Sequence, residues 1–281
     1  MSQPVLPFTG ERFTPECVRE IAHEHWHRYA FALALAPGKR VLDAACGEGY
    51  GAALLARAGA DVLAVDVDGD AIAHARLRYG DIPSLAFEQA DATRLGHLSD
   101  ASFDLIVSFE TLEHVEAQEH LLDGFARLLR PSGLLLVSTP DKRNYSDATG
   151  ETNPHHVREL YRDEFEALLA PRFPHVRLYA QKLLFQSALW ALDARGGPVQ
   201  SVTDGEDGPV PGMGYAPMYY VAVCTRDADA LAGLPALSLY GDAAESVYAD
   251  YRDEVRRNRA AAAHIAYLEA ELARLRAAGG S

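Results

Sequence analysis

The chain of 281 residues is 48% hydrophobic and 23% charged, a composition typical of globular proteins and not of disordered or fibrous ones. Its 26 basic and 40 acidic residues give a net charge of −14 at pH 7, so we expect no nucleic-acid partner. Three widely separated cysteines predict neither a disulfide framework nor a cysteine zinc site. The N-terminus shows no export signal and no apolar run is long enough for a membrane span, which predicts a cytoplasmic location.

Hydrophobic periodicity predicts an α/β domain behind an N-terminal cap. Apolar residues recur at three- and four-residue steps from about 16 to 36, which predicts a first helix within a cap over residues 1–38. Apolar segments then alternate with helical patterns across residues 39–226, as in βαβ units that form a mostly parallel sheet with helices on both faces. Seven strands are predicted, at about 39–43, 61–65, 84–89, 103–108, 132–138, 175–182 and 217–224. The helices between them are predicted at about 49–58, 69–79, 115–129 and 160–170.

Two segments differ in composition from this domain. Residues 191–216 are rich in Gly and Pro and long for a connection, which predicts a lid or mobile loop. Residues 227–281 are rich in Ala, Arg and Glu, which predicts a helical tail. Four of its apolar residues follow the a/d spacing of a short coiled coil: Ile265, Leu268, Leu272 and Leu275. The tail therefore predicts self-association or docking to a partner, with a helix that folds back onto the domain as the alternative.

The turn after the first strand is the first candidate ligand site. Asp43 ends the strand, and Gly47 and Gly49 in the turn allow the backbone to approach a ligand beside the free N–H groups of the next helix. The turn also fits the dinucleotide pattern GxGxxA, so by itself it predicts only a nucleotide-like ligand. Asp66 closes the second strand, where a carboxylate can accept hydrogen bonds from both hydroxyls of a ribose.

Four motifs in chain order resemble class I S-adenosylmethionine-dependent methyltransferases. They are D-x-x-x-G-x-G from Asp43, an acid after strand two, D-A at Asp91-Ala92 and D-x-I-x-S-x-x-x-L-x-H ending at His114. The resemblance covers about residues 8–224 and implies a Rossmann-like fold with S-adenosylmethionine as the methyl donor.

The same resemblance implies roles for individual residues. Gly47 and Gly49 approach the methionine moiety, Asp66 holds the ribose and Asp91 reads the adenine amino group. The complete set of predicted cofactor-binding residues is Tyr29, Asp43, Gly47, Gly49, Asp66, Val67, Asp91, Ala92 and Phe109. For the first helix we expect Trp26 and Tyr29 in the core and solvated histidines, with closure of Arg28 and Tyr29 over the cofactor as the alternative.

A pentad after the fourth strand predicts a metal site. Glu110 to His114 read E-x-x-E-H and resemble the divalent-ion pentad of small-RNA 2′-O-methyltransferases and ubiquinone-pathway O-methyltransferases, and the RNA enzymes add a later His that His156 matches. The resemblance implies Glu110, Glu113, His114 and His156 as ligands of Mg²⁺ or Mn²⁺. His114 or His155 is the predicted general base. The alternative is that His114, in a turn common among methyltransferases, only packs against its neighbours or positions the substrate.

Segments outside these motifs resemble bacterial methyltransferases of O-antigen and other polysaccharide biosynthesis. They are FTGERFTPE, EHWHRYAFAL, ACGEGYG and NPHHVRELYRDEF. This resemblance implies O-methylation of a sugar hydroxyl on a glycan or a glycosylated small molecule. The alternatives are an RNA ribose methyltransferase, which the charge of −14 disfavours, a metal-free O- or N-methyltransferase of secondary metabolism, and a non-catalytic scaffold module.

Overall fold

The computed structural model describes residues 20–189, 192, 199–206 and 208–278. The start of the predicted first helix, the FTGERFTPE segment and part of the predicted lid lie outside these residues.

One seven-stranded sheet forms the centre of the molecule. Its strands are β1 (Arg40–Ala44), β2 (Asp61–Asp66), β3 (Leu85–Gln89), β4 (Phe103–Ser108), β5 (Leu129–Pro140), β6 (His175–Gln181) and β9 (Tyr219–Thr225). Their order across the sheet is β3-β2-β1-β4-β5-β9-β6. All neighbours are parallel except that β9 is antiparallel to β5 and β6. The predicted fold, a mostly parallel seven-stranded sheet, is confirmed.

Helices cover both faces of this sheet. They are α1 (Glu20–Leu33), α2 (Tyr50–Arg57), α3 (Gly69–Tyr79), α4 (Gln118–Leu128) and α5 (Arg162–Leu169), and α6 (Ser246–Ala278) follows the domain. Short helical turns lie at Leu112–His114, Arg143–Asp147 and Ala228–Leu231. Because side chains alternate along a strand, Val41 of β1 packs with the α1–α3 side while Leu42 packs with the α4–α5 side.

The parallel strands direct their carboxyl ends to one edge of the sheet. β3, β2, β1, β4 and β5 are parallel neighbours, so the loops after these five strands open at this edge. In open α/β sheets this edge holds the ligand. The predicted site residues that follow these strands are therefore brought to one edge of the sheet.

The segment after β9 remains attached to the domain beyond residue 226. Leu231 and Leu234 pack against the core, Arg177 donates to the carbonyl of Leu234 at 3.0 Å, and the Tyr179 hydroxyl donates to the carbonyl of Pro235 at 2.8 Å. Within the predicted lid, β7 (Val202–Thr203) and β8 (Val210–Pro211) form a two-stranded ribbon. A lid function for this ribbon stays a prediction.

Residues 246–276 of the long helix α6 are exposed, except Val247, Val255 and Glu271, which are half-buried. Near its start, the rings of Tyr248 and Tyr251 each lie 6.2 Å from the ring of Phe185. The C-terminal half of α6 does not fold back onto the domain, because Ile265, Leu268, Leu272 and Leu275 are each about half exposed, at 49–57%. In the described part of the chain, no helix combines the length and the apolar character that a bilayer span requires.

Candidate functional site

The loop between β1 and α2 is shaped by backbone conformations that favour glycine. Ala45, Gly47 and Gly49 have φ angles of 63°, 57° and 86°. The N–H of Gly47 donates to Asp66 Oδ2 at 2.8 Å, and the N–H of Asp68 donates to Asp66 Oδ1 at 2.9 Å. Asp66 therefore ties the two loops together, and each carboxylate oxygen keeps a second lone pair with which to accept a ribose hydroxyl.

Packing explains two of the glycines in this motif. A Cβ atom on Gly49 would lie 2.6 Å from the ring of Phe87, and one on Gly51 would lie 2.0 Å from the ring of Tyr29. Gly51 was not predicted as a site residue, although it stands in the glycine motif. Only the three-dimensional structure shows that its missing side chain makes room for Tyr29.

Helix α1 covers the end of β1. The Tyr29 hydroxyl donates to both oxygens of Asp43, at 3.1 and 3.2 Å, and the Tyr29 ring meets Phe109 edge-on with centroids 5.1 Å apart. Burial raises the pKa of Asp43 to about 7, the Tyr29 hydrogen bond opposes this rise, and the negative charge of Asp66 adds to it. Tyr29 is thus a core residue, as expected, and it also contacts a predicted cofactor residue.

The histidines of α1 are not solvated, so that prediction is wrong. His27 Nε2 lies 3.0 Å from the Ser238 hydroxyl, and His23 Nε2 lies 3.5 Å from a carboxylate oxygen of Asp242. Burial, and then the positive charge of Arg28, lower the pKa of His27. These histidines hold the segment after β9 against α1.

Glu48, between the two loop glycines, was also missed by the sequence reasoning. Its buried carboxylate accepts a hydrogen bond from Tyr79 at 3.2 Å and lies 3.3 Å from His74 Nε2 and 3.5 Å from Arg78 Nη1. All three partners belong to α3 or its end, so Glu48 anchors the glycine loop to the neighbouring helix. The spacing of four residues between His74 and Arg78 on α3 was a signal that could have indicated this contact.

The predicted adenine side lies after β3. Asp91 is half-buried and accepts hydrogen bonds from the N–H and hydroxyl of Thr93 at 2.9 and 2.7 Å. Burial opposes its ionisation, but these hydrogen bonds outweigh that effect and lower the pKa of Asp91. Ala92 packs against the core and Val67 is exposed, so Val67 is accessible to a ligand. Binding of the cofactor by these residues stays a prediction.

Glu110 starts the second half of the site, after β4. It has a φ of 50°, an uncommon conformation for a side chain of this kind. Its N–H donates to Ser138 Oγ at 3.0 Å, and the Ser138 hydroxyl donates to Glu110 Oε1 at 2.6 Å. Arg28 Nη2 lies 3.4 Å from the same Oε1. Because β5 and α1 engage this carboxylate, Glu110 does not join the other predicted metal ligands.

Arg28 is the central buried cation of this half. It is 2% exposed, its Nε donates to Gln181 Oε1 at 2.8 Å, and its guanidinium lies 4.6 Å from the centre of the Tyr219 ring. Arg28 was predicted only as a residue that closes over the cofactor. Its position also brings α1, β4, β6 and β9 together.

Three of the four predicted metal ligands do come together. Glu113, His114 and His156 offer ligand atoms that all lie within 4.8 Å of one another. Thr139 donates to Glu113 Oε2 at 3.4 Å, and the backbone carbonyl of Glu113 accepts from the N–H groups of Val157 and Arg158. Burial, and then the negative charge of Glu110, raise the pKa of Glu113.

The hydrogen bonds of the two histidines determine their tautomers. His114 Nδ1 lies 3.0 Å from the carbonyl oxygen of His155, which can only accept, so this nitrogen carries the proton. His156 Nδ1 lies 2.6 Å from Glu159 Oε1 and donates to that carboxylate. In the neutral form of either ring Nε2 bears the lone pair, and the Asn153 amide nitrogen lies 3.0 Å from His156 Nε2, to which it can donate. The side chain of His155 itself is exposed.

Comparison with known proteins identifies the domain. Residues 42–137 match the family model of a methyltransferase domain. A probable S-adenosylmethionine-dependent methyltransferase of Mycobacterium tuberculosis is 42% identical over 172 residues, which cover 60% of this chain and 61% of the relative. A ubiquinone biosynthesis O-methyltransferase of Paracidovorax citrulli is 32% identical over 138 residues, which cover 43% of this chain and 58% of the relative. The chain thus spans about three fifths of the length of these curated relatives.

A solved structure shares the fold. The crystal structure of an S-adenosylmethionine-dependent methyltransferase from Thermotoga maritima superposes with a TM-score of 0.51 and 17% identity, over 73% of this chain and 90% of that one. Over the matched domain the chain is similar to class I S-adenosylmethionine-dependent methyltransferases, on the same kind of fold. The predicted resemblance to that class is confirmed, while the resemblance to polysaccharide methyltransferases stays a prediction.

Proposed function

We propose that the protein transfers the methyl group of S-adenosylmethionine to a sugar hydroxyl of a glycan or a glycosylated small molecule. The observation that carries this proposal is the cluster of Glu113, His114 and His156 at the sheet edge that also holds the predicted cofactor residues. A carboxylate and two imidazoles at this point can orient a hydroxyl and accept its proton, which methyl transfer to oxygen requires.

The cofactor half of the proposal predicts a measurable role for Asp66. Asp66→Ala removes the carboxylate that would bind the ribose and also frees the N–H of Gly47, so we expect binding of S-adenosylmethionine to weaken by about 3 kcal/mol. Isothermal titration calorimetry measures this loss. Asp61→Ala, at the exposed start of the same strand, is the matched control and should keep wild-type affinity. Equal affinities of both folded variants would contradict the proposed ribose position.

A cavity beside the cluster supports a polyhydroxylated acceptor. It has a volume of about 480 Å³, and its wall includes Glu24, Tyr145, Asn153, Lys182 and Tyr219. Asn153 and Tyr145 both contact His156, the latter by stacking at 5.4 Å between ring centroids. Carboxylate, amide and ammonium groups can hydrogen-bond to vicinal hydroxyls, and the tyrosine rings offer apolar faces to the C–H surface of a sugar ring.

The donor set fits a divalent ion. Both histidines direct Nδ1–H to an oxygen acceptor, the arrangement found in metal-binding histidines. Glu113, His114 and His156 would hold the ion, which would supply Lewis-acid polarisation of the acceptor hydroxyl. An ion at His156 Nε2 would take the place of the Asn153 amide. With Glu110 outside the cluster, two nitrogens and one carboxylate favour Mn²⁺ or another transition metal over the expected Mg²⁺.

The chain provides the proton acceptor in either case. With an ion on His114, the exposed His155 is the remaining predicted base. Without an ion, His114 Nε2 accepts the proton, and the carbonyl of His155 holds the ring in the required tautomer. The metal-free route corresponds to the second candidate function, a small-molecule O-methyltransferase.

Transfer of a radiolabelled methyl group tests the proposed function directly. We expect label in neutral glycosides and oligosaccharides, released as an O-methyl sugar after acid hydrolysis, and no transfer to catechol or histamine. His156→Ala should reduce turnover at least about a hundredfold. His97→Ala is the matched control, because His97 also pairs with a carboxylate, Glu88 at 2.7 Å, but on the exposed surface. Transfer to catechol or histamine alone would overturn the sugar assignment.

Metal binding has a readout that does not depend on activity. After chelation and dialysis, Mn²⁺ should raise the thermal midpoint of the wild-type protein and of His97→Ala, but not of Glu113→Gln or His156→Ala. Full turnover after exhaustive EDTA treatment, with no thermal shift on addition of Mn²⁺ or Mg²⁺, would remove the metal and leave the metal-free route.

A further inference from the structure

The C-terminal half of α6 carries an apolar row that nothing in the described part of the chain covers. Every side chain from 258 to 276 is exposed except Glu271, which is half-buried. Four large apolar residues lie on one face at three- and four-residue steps: Ile265, Leu268, Leu272 and Leu275. An exposed row of leucine and isoleucine, on a helix whose other residues are mainly alanine and charged, is typical of one half of a coiled coil.

The heptad register also accounts for the polar residues of this segment. With Ile265 and Leu272 at a positions, Asn258 occupies the preceding a position and Ala261 the d position between them. A single Asn at an a position fixes the register of paired helices. One heptad earlier the d position holds Glu254, which bonds within its own helix to Arg257 at 3.4 Å and to Asn258 at 3.3 Å. The apolar row therefore begins at about Asn258.

We propose that α6 pairs in parallel, over about residues 258–276, with α6 of a second copy of this chain. This interaction surface is independent of the proposed catalytic function. The charges along α6 indicate that its partner is a second copy of the same helix. In a parallel pair each g residue faces the e residue five positions later on the other helix. Glu271 (g) then faces Arg276 (e) once on each side of the pair, and His264 (g) faces Glu269 (e), to which its ring can donate a hydrogen bond. The helix is thus complementary to itself in register.

Sedimentation equilibrium of the full chain at micromolar concentration tests the pairing. The wild-type protein should sediment at twice its chain mass of 30.6 kDa. Leu272→Glu places a charge at an a position, between the two paired helices, and should give a monomer. Ala270→Glu adds the same charge two residues away, at an f position on the outer face, and should remain dimeric. Unchanged affinity for S-adenosylmethionine in all three proteins shows that the domain is intact. A monomeric wild-type protein, or a dimer that Leu272→Glu leaves unchanged, would overturn the proposal.

A charge exchange tests the parallel orientation. Glu271→Arg and Arg276→Glu each place like charges opposite one another, and each should raise the dimer dissociation constant about tenfold. In a parallel pair the double exchange restores opposite charges and should return the constant to within about twofold of the wild-type value. In an antiparallel pair g faces g and e faces e, so the double exchange would stay weak. That outcome would overturn the parallel arrangement.

Discussion

The two halves of the candidate site are built by different kinds of contact. The cofactor half is held by backbone hydrogen bonds and glycines between loops close in sequence, as between Gly47 and Asp66, which are 19 residues apart. The acceptor half is held by buried charges on distant segments, as between Arg28 and Gln181, which are 153 residues apart. The first half therefore depends mainly on backbone geometry, although it also contains the buried carboxylates Asp43 and Glu48, whereas the second depends mainly on charges that must remain balanced away from water.

Removing the central cation should have the largest effect. Arg28→Met removes the positive partner of Glu110 and leaves the Glu110 carboxylate next to the buried Glu113. We therefore expect a loss of about 3–5 kcal/mol in the free energy of unfolding. Urea denaturation measures this loss. Adding Glu110→Gln to Arg28→Met should recover part of it, because the uncompensated charge disappears.

An exposed ion pair is the control for that experiment. Arg158 and Glu119 lie 3.5 Å apart with about half of each side chain exposed, so Arg158→Met should cost less than about 1 kcal/mol. A loss for Arg28→Met no larger than this control would show that the acceptor half does not depend on buried charge.

In the cofactor half, a buried carboxylate makes stability depend on pH. The pKa of Asp43 is raised from 3.8 to about 7 in the folded protein, chiefly by burial. Between these values the folded state binds more protons than the unfolded state, so the wild-type protein loses stability as pH rises through this window. Asp43→Asn removes that loss and should gain about 2–3 kcal/mol relative to wild type between pH 5 and pH 8.

Thermal or urea unfolding without cofactor at both pH values measures this gain. Asp61→Asn, on the exposed start of β2, is the control and should track the wild-type protein. A parallel pH profile for Asp43→Asn and wild type would mean that Asp43 ionises normally in the folded state.

The same contrast explains what the sequence could predict. Consecutive βα turns place Asp43, Gly47 and Asp66 at one sheet edge, so motif spacing was sufficient to bring them together. The acceptor half needs contacts such as His114 to His155, 41 residues apart, and spacing could suggest these but not their geometry. Glu110 matched a ligand pattern, yet a serine on β5 and an arginine on α1 engage it instead.

The frame of the cofactor half can be disturbed by one methyl group. Gly51→Ala would place Cβ 2.0 Å from the Tyr29 ring. The ring must then move, and its hydroxyl loses the hydrogen bond to Asp43. We therefore expect a loss of about 1–3 kcal/mol in the free energy of unfolding. Urea denaturation checks the loss. Gly124→Ala, in α4 with nothing within 4 Å, is the control and should gain up to about 1 kcal/mol. The loss should shrink when Gly51→Ala is made in a Tyr29→Ala background. If it does not, the Tyr29 ring is not the cause.

The smallest effect should come from a region that belongs to neither half. Deleting residues 246–281 removes α6 together with the contacts of Tyr248 and Tyr251 to the exposed Phe185 ring. The affinity for S-adenosylmethionine should therefore not change, and the thermal midpoint should move by no more than about 2 °C. Deleting residues 227–281 also removes Leu231 and Leu234 from the core and two acceptors from β6, and should cost about 3 kcal/mol or more. Calorimetry and thermal unfolding of both truncated proteins measure these outcomes. Equal stability of the two truncated proteins would place the end of the domain at residue 226. Weakened cofactor binding after deletion of residues 246–281 would make α6 part of the site.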